Sequence, residues 1–254
     1  MPTTIGLDAE QYNNFLGCLL NLKEICNDVD IRDGMIRQRT NDLTCVFEMN
    51  LTPLISDANI PIVNLKKKLD LLKVFAGQDV QIEIVEGESE SDSYFTFSDD
   101  ESSIKFLFPS IEFMDNKIIT QEELNNIYNV DEEDLILENN LNNTVTERIR
   151  VITDNFNTPA IQMKFEGDQA SITAATQSKD QFAKFKTGIS TNIDFGGNYK
   201  SNLSTVPFSI DHDEDLNFKM YKDPERDVSM NAIKTRLGDV EISIFSRSAI
   251  MEEG

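Results

Sequence analysis

The sequence predicts an α+β chain of two similar domains, and three observations predict it. Amphipathic segments with apolar residues at helical spacing alternate with groups of segments whose side chains point alternately in and out. The order helix, three strands, helix, three strands fills the first part of the chain. The same order then begins again about 130 residues further on, which is what a duplicated unit leaves in a sequence.

Asp8 and Gln11 have the spacing of a capping box, and Tyr12, Phe15, Leu16, Leu19 and Leu22 keep helical spacing, so residues 8–25 are expected as a helix. Its other face is Asn14, Gly17 and Asn21. Residues 29–34 and 35–39 read as two short strands joined at Asp33-Gly34, and residues 45–51 as a third. After a loop holding Pro53 and Pro61 comes a stretch bracketed by Asn64, an expected N-cap, and Gly77, an expected stop. Within it Leu65, Leu69, Leu72 and Phe75 share one arc with Leu71 at its edge, while Lys66, Lys67 and Lys73 fall opposite. Alternating strands at 80–85, 94–97 and 104–108 follow, with the acidic stretches 86–92 and 98–103 as hairpin loops.

Residues 110–143 differ in composition. They carry a short helical pattern at 120–128, the acidic run 131–134 and a strand at 135–137. The second unit opens at a capping box, Thr144 and Glu147, on a helix whose Val145, Ile149, Ile152 and Phe156 line one face and which ends before Pro159. Strands are expected at 160–165, 170–174 and 181–187, with turns at 166–168 and 176–180. Residues 203–210, 216–220 and 240–245 are strand-like, and the fourth helix of the repeat is expected across 224–236. The domain reading is therefore 1–110 for the first, 111–140 for a connector and 141–254 for the second.

Composition narrows the function. Lys and Arg number 23 against 45 Asp and Glu, a net charge of -22, so positive charge is scarce and the 64–77 helix concentrates it. A face of solvated lysines is the plainest reading of that stretch alone. No apolar run approaches the length that spans a bilayer and no signal-peptide pattern opens the chain, so a cytoplasmic protein without membrane contact is expected, in the host cytoplasm if viral. Cys18, Cys26 and Cys45 lack CxxC spacing and are expected as reduced core residues. His212, the only histidine, sits among Asp211, Asp213, Glu214 and Asp215 in what reads as a solvated acidic loop, and no phosphate-loop, dinucleotide or nucleophile-elbow motif occurs. No catalytic residue, metal site or cofactor is expected, and the chain is read as not an enzyme.

The duplicated order of elements, the acidic balance and the exposed connector resemble the sliding clamps that confer processivity on DNA polymerases. These comprise the two-domain trimeric type, with proliferating cell nuclear antigen and the replication clamps of tailed phages. The phage version is the nearer likeness, since residues 104–109 end the first domain and a connector and strand run into residues 144–156. The resemblance implies a clamp fold of antiparallel sheets with helices on the inner face, closing into a homotrimeric ring. It further implies non-specific, topological binding of double-stranded DNA, a DNA polymerase and a clamp loader as partners. Lys66, Lys67, Lys73 and Arg150 would then face DNA, with Arg148 nearer the packed face. Lys105 and Phe106 would meet Lys184 and Phe185 of the next subunit edge to edge. Clamps bind partner peptides in a pocket beneath the connector, for which Ile118, Ile119, Ile250 and Met251 are the exposed apolar candidates. Two other classes fit less of the sequence: an acidic DNA mimic leaves the lysine cluster and the repeat without a use, and a virion structural protein leaves the basic helical face without one.

Overall fold

The computed structural model describes residues 2–56, 58–87, 92–109, 118–156, 160–175, 182–222 and 228–252. The chain forms two compact units, one of Met1–Leu43, Phe47–Thr120 and Leu237–Ile242, the other of Thr44–Val46, Gln121–Arg236 and Ser243–Gly254. The turn expected at 176–180 lies outside the described residues.

The first unit begins with a strand, β1 (Thr3–Leu7), and then the helix α1 (Ala9–Leu22). The expected capping box closes α1: Gln11 N–H donates to Asp8 Oδ1 at 2.8 Å and Asp8 N–H to Gln11 Oε1 at 3.1 Å. Tyr12, Phe15, Leu16, Cys18, Leu19 and Leu22 are its buried face. The strands β2 (Val29–Arg32), β3 (Met35–Arg39), β4 (Cys45–Asn50) and β5 (Ile60–Ile62) follow, then α2 (Leu65–Leu72) with a 3-10 turn over Lys73–Phe75. The strands β6 (Val80–Val85), β7 (Tyr94–Ser98) and β8 (Ser103–Leu107) end the unit. One antiparallel sheet runs β1-β6-β7-β8 and a second ladder runs β4-β3-β2-β5. β8 is an outer strand of its sheet, with β1 at the other edge.

The β2–β3 turn is tight because Asp33 and Gly34 both take positive φ, 51° and 73°. A Cβ added at Gly34 would lie 2.3 Å from the Ile55 carbonyl oxygen, which is backbone and has no easy way to move. Gly34→Ala is therefore expected to cost about 1–3 kcal/mol, read as a lowered denaturation midpoint, while Gly77→Ala, with nothing near its Cβ, meets only the backbone penalty of its φ of 79°.

The second unit begins with α3 (Gln121–Ile127) and a 3-10 turn over Glu132–Asp134, followed by β9 (Leu135–Leu141) and α4 (Asn143–Phe156). Then come β10 (Ala160–Glu166), β11 (Gln169–Ala175), β12 (Phe182–Ser190), β13 (Asn198–Ser204), the one-turn helix α5 (Val206–Ser209), β14 (Leu216–Lys222), β15 (Val228–Leu237) and β16 (Val240–Glu252). The fourth helix is thus α5, and the segment expected to be that helix is the strand β15. From β1 to β8 the order is strand, helix, four strands, helix, three strands, and from β9 to β16 it is the same. The ladder runs β12-β11-β10-β13-β16; β15 pairs with β16 and β14, and β14 pairs with β9. β12 is an outer strand. Ile149, Ile161, Met163, Phe165, Ile172, Leu203, Phe208 and Phe218 lie in one buried core of this unit.

Candidate nucleic-acid interface

In the first unit α2 is built as its periodicity requires. Leu65, Leu69, Leu72 and Phe75 are at most 1% exposed, and Lys66, Lys67 and Lys73 are exposed. The start differs from expectation: Asn64 has φ 54° and its side chain makes no cap. Residues 27 and 28 supply the acceptors instead, since Leu65 N–H donates to the Asn27 carbonyl at 2.7 Å and Asn64 N–H to Asp28 Oδ1 at 3.0 Å. The Gly77 N–H donates to Asn13 Oδ1 at 3.0 Å, which ties the end of the helix to α1.

The lysines are not equivalent. Lys73 is 3.1 Å from Asp70 one turn away, an exposed pair that solvent screens. Lys66 and Lys67 have no ion-pair partner among the described residues, so their charge is available to an anion. Lys68, between them and the packed arc, is half-buried with its ammonium 5.5 Å from the centre of the Phe95 ring and 5.1 Å from that of Phe106. Burial lowers its pKa, opposed by the Asp28 carboxylate.

In the second unit the two arginines of α4 exchange the places expected of them. Arg148 is exposed. Arg150 is half-buried and held by Asp211 at 2.5 Å and Glu147 at 2.7 Å, bonds that raise its pKa and offset its charge. The cause is two threonines that widen the packed face. Thr146 and Thr153 are buried because their hydroxyls donate to carbonyls of Asn142 and Ile149 at 3.0 Å, leaving no polar group to solvate. That rotates the buried arc toward Arg150 and away from Arg148. The helix also starts earlier than Thr144: Asn142 caps it, accepting from Val145 N–H at 3.0 Å. Arg150 borders an open cavity of about 320 Å³ lined by Asn143, Phe208, Ile210 and His212 among others.

Lys105 and Phe106 lie on β8 and Lys184 and Phe185 on β12, each an outer strand. Lys105 carries its ammonium 3.3 Å from the centre of the Tyr94 ring, Phe106 is 8% exposed, and the next residue, Leu107, is 62% exposed. Lys184 is exposed. Of the apolar residues expected at the surface, Ile119 is buried, its N–H donating to the Arg37 carbonyl at 3.1 Å, and Ile118 bridges Gln38 in the first unit. Backbone pairing with β3 gives these two a structural duty that the connector's composition does not reveal. In the second unit Ile250 packs against the core and Met251, 40% exposed, pairs with Lys200 of β13. The terminal residues 250–252 are thus a paired strand.

The second unit also holds a cluster that the expectations above do not include, where the Tyr128 ring lies tilted against Phe245 and meets Tyr221 edge on. The spacing of Leu124 and Tyr128, one helical turn apart, is the signal that marks it. Among the described residues no group of His, Cys, Asp and Glu converges as a metal site, and no helix is long and apolar enough to cross a membrane. Cys18, Cys26 and Cys45 are buried and form no disulfide.

Two copies of strand, helix, four strands, helix, three strands define the fold of the sliding clamps, and this chain has that fold. Among solved structures it is similar to proliferating cell nuclear antigen (PCNA) from Thermococcus kodakaraensis, at 12% identity and TM-score 0.57 over 99% of this chain and 100% of that one. It is similar to the proliferating cellular nuclear antigen of Entamoeba histolytica, at 12% and 0.57 over 98% of each chain. A PCNA2-PCNA3 complex from Sulfolobus tokodaii matches at 15% and 0.54 over 99% of this chain and 100% of that one. No protein-family model matches the chain, and no curated protein does.

Proposed function

We propose that this chain is a non-catalytic sliding clamp that closes as a homotrimer around double-stranded DNA and tethers a DNA polymerase, with a clamp loader to open it. A fold hosts many functions, so the reading rests on the site. The observation that carries it is the placement of Lys66 and Lys67, exposed and without ion-pair partners among the described residues, on a helix of a chain with net charge -22. An acidic surface repels phosphate everywhere except where cations are gathered, and a ring held topologically needs only loose phosphate contacts. Lys73 and Arg148 add to that set; Arg150 serves to orient α4 against Asp211. A DNA mimic has no use for such a face.

Replacing Lys66, Lys67 and Lys73 together with Glu tests the reading. All three lie off the packed arc, so the variant is expected to keep its melting temperature and a solution mass three times the 28.8 kDa of one chain. Stimulation of processive synthesis, assayed with a polymerase that the unaltered chain stimulates, is expected to fall about tenfold or more at moderate salt. Undiminished stimulation overturns the assignment.

A further inference from the structure

The two repeats charge their helices differently. In the first unit the helix before the last three strands is α2, with Lys66 and Lys67 exposed on it and Lys73 exposed just after it. In the second unit that place belongs to α5, Val206–Ser209, which has no basic side chain. The chain then passes through Ile210 into the acidic run 211–215, where Asp211, Asp213, Glu214 and Asp215 are exposed. On α3, α4 and α5 the basic residues are Arg148 and Arg150 alone.

Arg150 is already paired twice. Its Nη1 donates to Asp211 Oδ1 at 2.5 Å and its Nη2 lies 2.7 Å from Glu147 Oε2. Both carboxylate side chains are more than half exposed, and ion pairs so open to solvent contribute little to stability. What the arrangement changes is charge: two carboxylates on one guanidinium leave the spot net negative. Steric access is not the obstacle, because Arg150 borders an open cavity of about 320 Å³, room enough for a phosphate group. A guanidinium presents the same fork of donors to carboxylate and to phosphate, so Asp211 and Glu147 hold the positions that phosphate oxygens would take.

We propose that Asp211 and Glu147 are built-in phosphate substitutes that keep Arg150 off the DNA backbone, so that DNA is gripped by the lysines of the first unit and Arg148 is the one helix cation the second unit adds. Asp211 and Glu147 are thus positioning residues that act through Arg150. A chain held on DNA topologically gains nothing from a tight grip, and each further phosphate contact is one more to break at every step along the duplex. The proposal rests on the sliding-clamp reading and deepens it: it names the device that keeps the contact loose.

The probe is a short fluorescein-labelled DNA duplex titrated with the full chain by fluorescence anisotropy across a series of salt concentrations. Asp211→Asn releases Arg150, whereas Asp215→Asn removes the same charge from the same loop and leaves Arg150 held. Asp211→Asn is expected to bind the duplex about threefold or more tighter than Asp215→Asn, with log K against log salt steeper by about 0.9 for each arginine engaged. On an Arg150→Gln background Asp211→Asn is expected to gain no more than Asp215→Asn does. A merely structural role for the Arg150–Asp211 bond predicts a lower melting temperature and no tighter binding. Glu147→Gln, on the exposed side of α4, loosens the same guanidinium and is expected to shift binding in the same direction; it is the arm that stands if Asp211→Asn folds poorly. Equal binding by Asp211→Asn and Asp215→Asn, a gain that survives on the Arg150→Gln background, or binding by no chain overturns the proposal. Loss of duplex binding in the Lys66, Lys67 and Lys73 variant with no gain from Asp211→Asn sinks the proposal and leaves the clamp reading standing, whereas undiminished processivity in the lysine variant sinks that reading whatever Asp211→Asn does.

Discussion

Phe97→Ala is expected to destabilise the first unit by about 3–5 kcal/mol, a large share of the 5–15 kcal/mol that holds a typical domain together. Phe97 is fully buried on β7. Its ring lies 6.2 Å from Phe15 and 6.4 Å from Tyr12 on α1, and 6.0 and 6.3 Å from Phe95 and Phe106 on the sheet. Tyr12 in turn donates its hydroxyl to the Leu72 carbonyl at 2.7 Å. Phe97 thus sits where α1, α2 and the β1-β6-β7-β8 sheet meet, and three elements must move to fill the space it leaves.

Two units are present, so amide hydrogen exchange, which reads each unit separately, shows where the loss falls. Peptides covering α1 and β7 are expected to lose roughly two to nearly four decades of protection in the Phe97→Ala variant, at about 1.36 kcal/mol per decade, with little change across β10 and β11. Val74→Ala in the 3-10 turn after α2, 63% exposed, is the control and is expected to change protection by less than one decade. Uniform loss across both units, or none in α1, contradicts this account of the core.

What the sequence made legible follows from where local chemistry and tertiary demand agree. The Asp8–Gln11 box, the apolar arcs of α1 and α2 and the Asp33-Gly34 turn are local devices, and each forms as read. β5 was hidden because Pro61 argues against a strand; it is tolerated there because β5 lies at the edge of its ladder and the missing donor faces outward. β1 was hidden by its brevity, five residues whose partner, β6, is 70 and more residues away.

The larger miss is β15. The repeat alone puts a helix there, on a segment whose own pattern is poorly helical, and the segment is a strand with both faces covered, so no alternation shows. Ser229, Asn231 and Thr235 are buried in it by bonding to the Ser248 carbonyl, the Ser248 hydroxyl and the Glu214 carbonyl. These polar side chains are a bonded interior. α5 has four residues with Pro207 in its first turn, too short for any period to register. The same masking governs the candidate site. The α2 lysines could be read because leucines oppose them, whereas the places of Arg148 and Arg150 turn on Thr146 and Thr153, whose burial only the folded helix shows.

Proline on β12 is expected to convert the trimer to monomers. β8 and β12 are outer strands, each with a row of backbone groups that its own sheet leaves unpaired, and a ring of identical subunits closes such edges by pairing one with the other. In the ladder with β11, Ala183 faces Ala174 and Lys184 faces Thr173. Successive N–H groups point to opposite sides of a strand, so one of these two donates to β11 and the other to the open edge. Ala183→Pro and Lys184→Pro, made singly, therefore separate the two duties. The proline that removes the inward donor disturbs the β11 ladder and lowers the melting temperature of the second unit. The proline that removes the outward donor leaves the unit folded and, with the ring of its pyrrolidine pressed against the incoming strand, gives a solution mass of one chain by light scattering at micromolar concentration. Leu107, exposed on β8, supplies the apolar contact that would accompany such pairing, so Leu107→Glu is expected to weaken the trimer without touching a hydrogen bond. A folded trimer from both proline variants refutes edge pairing through β12, and a monomeric mass for the unaltered chain refutes the ring itself.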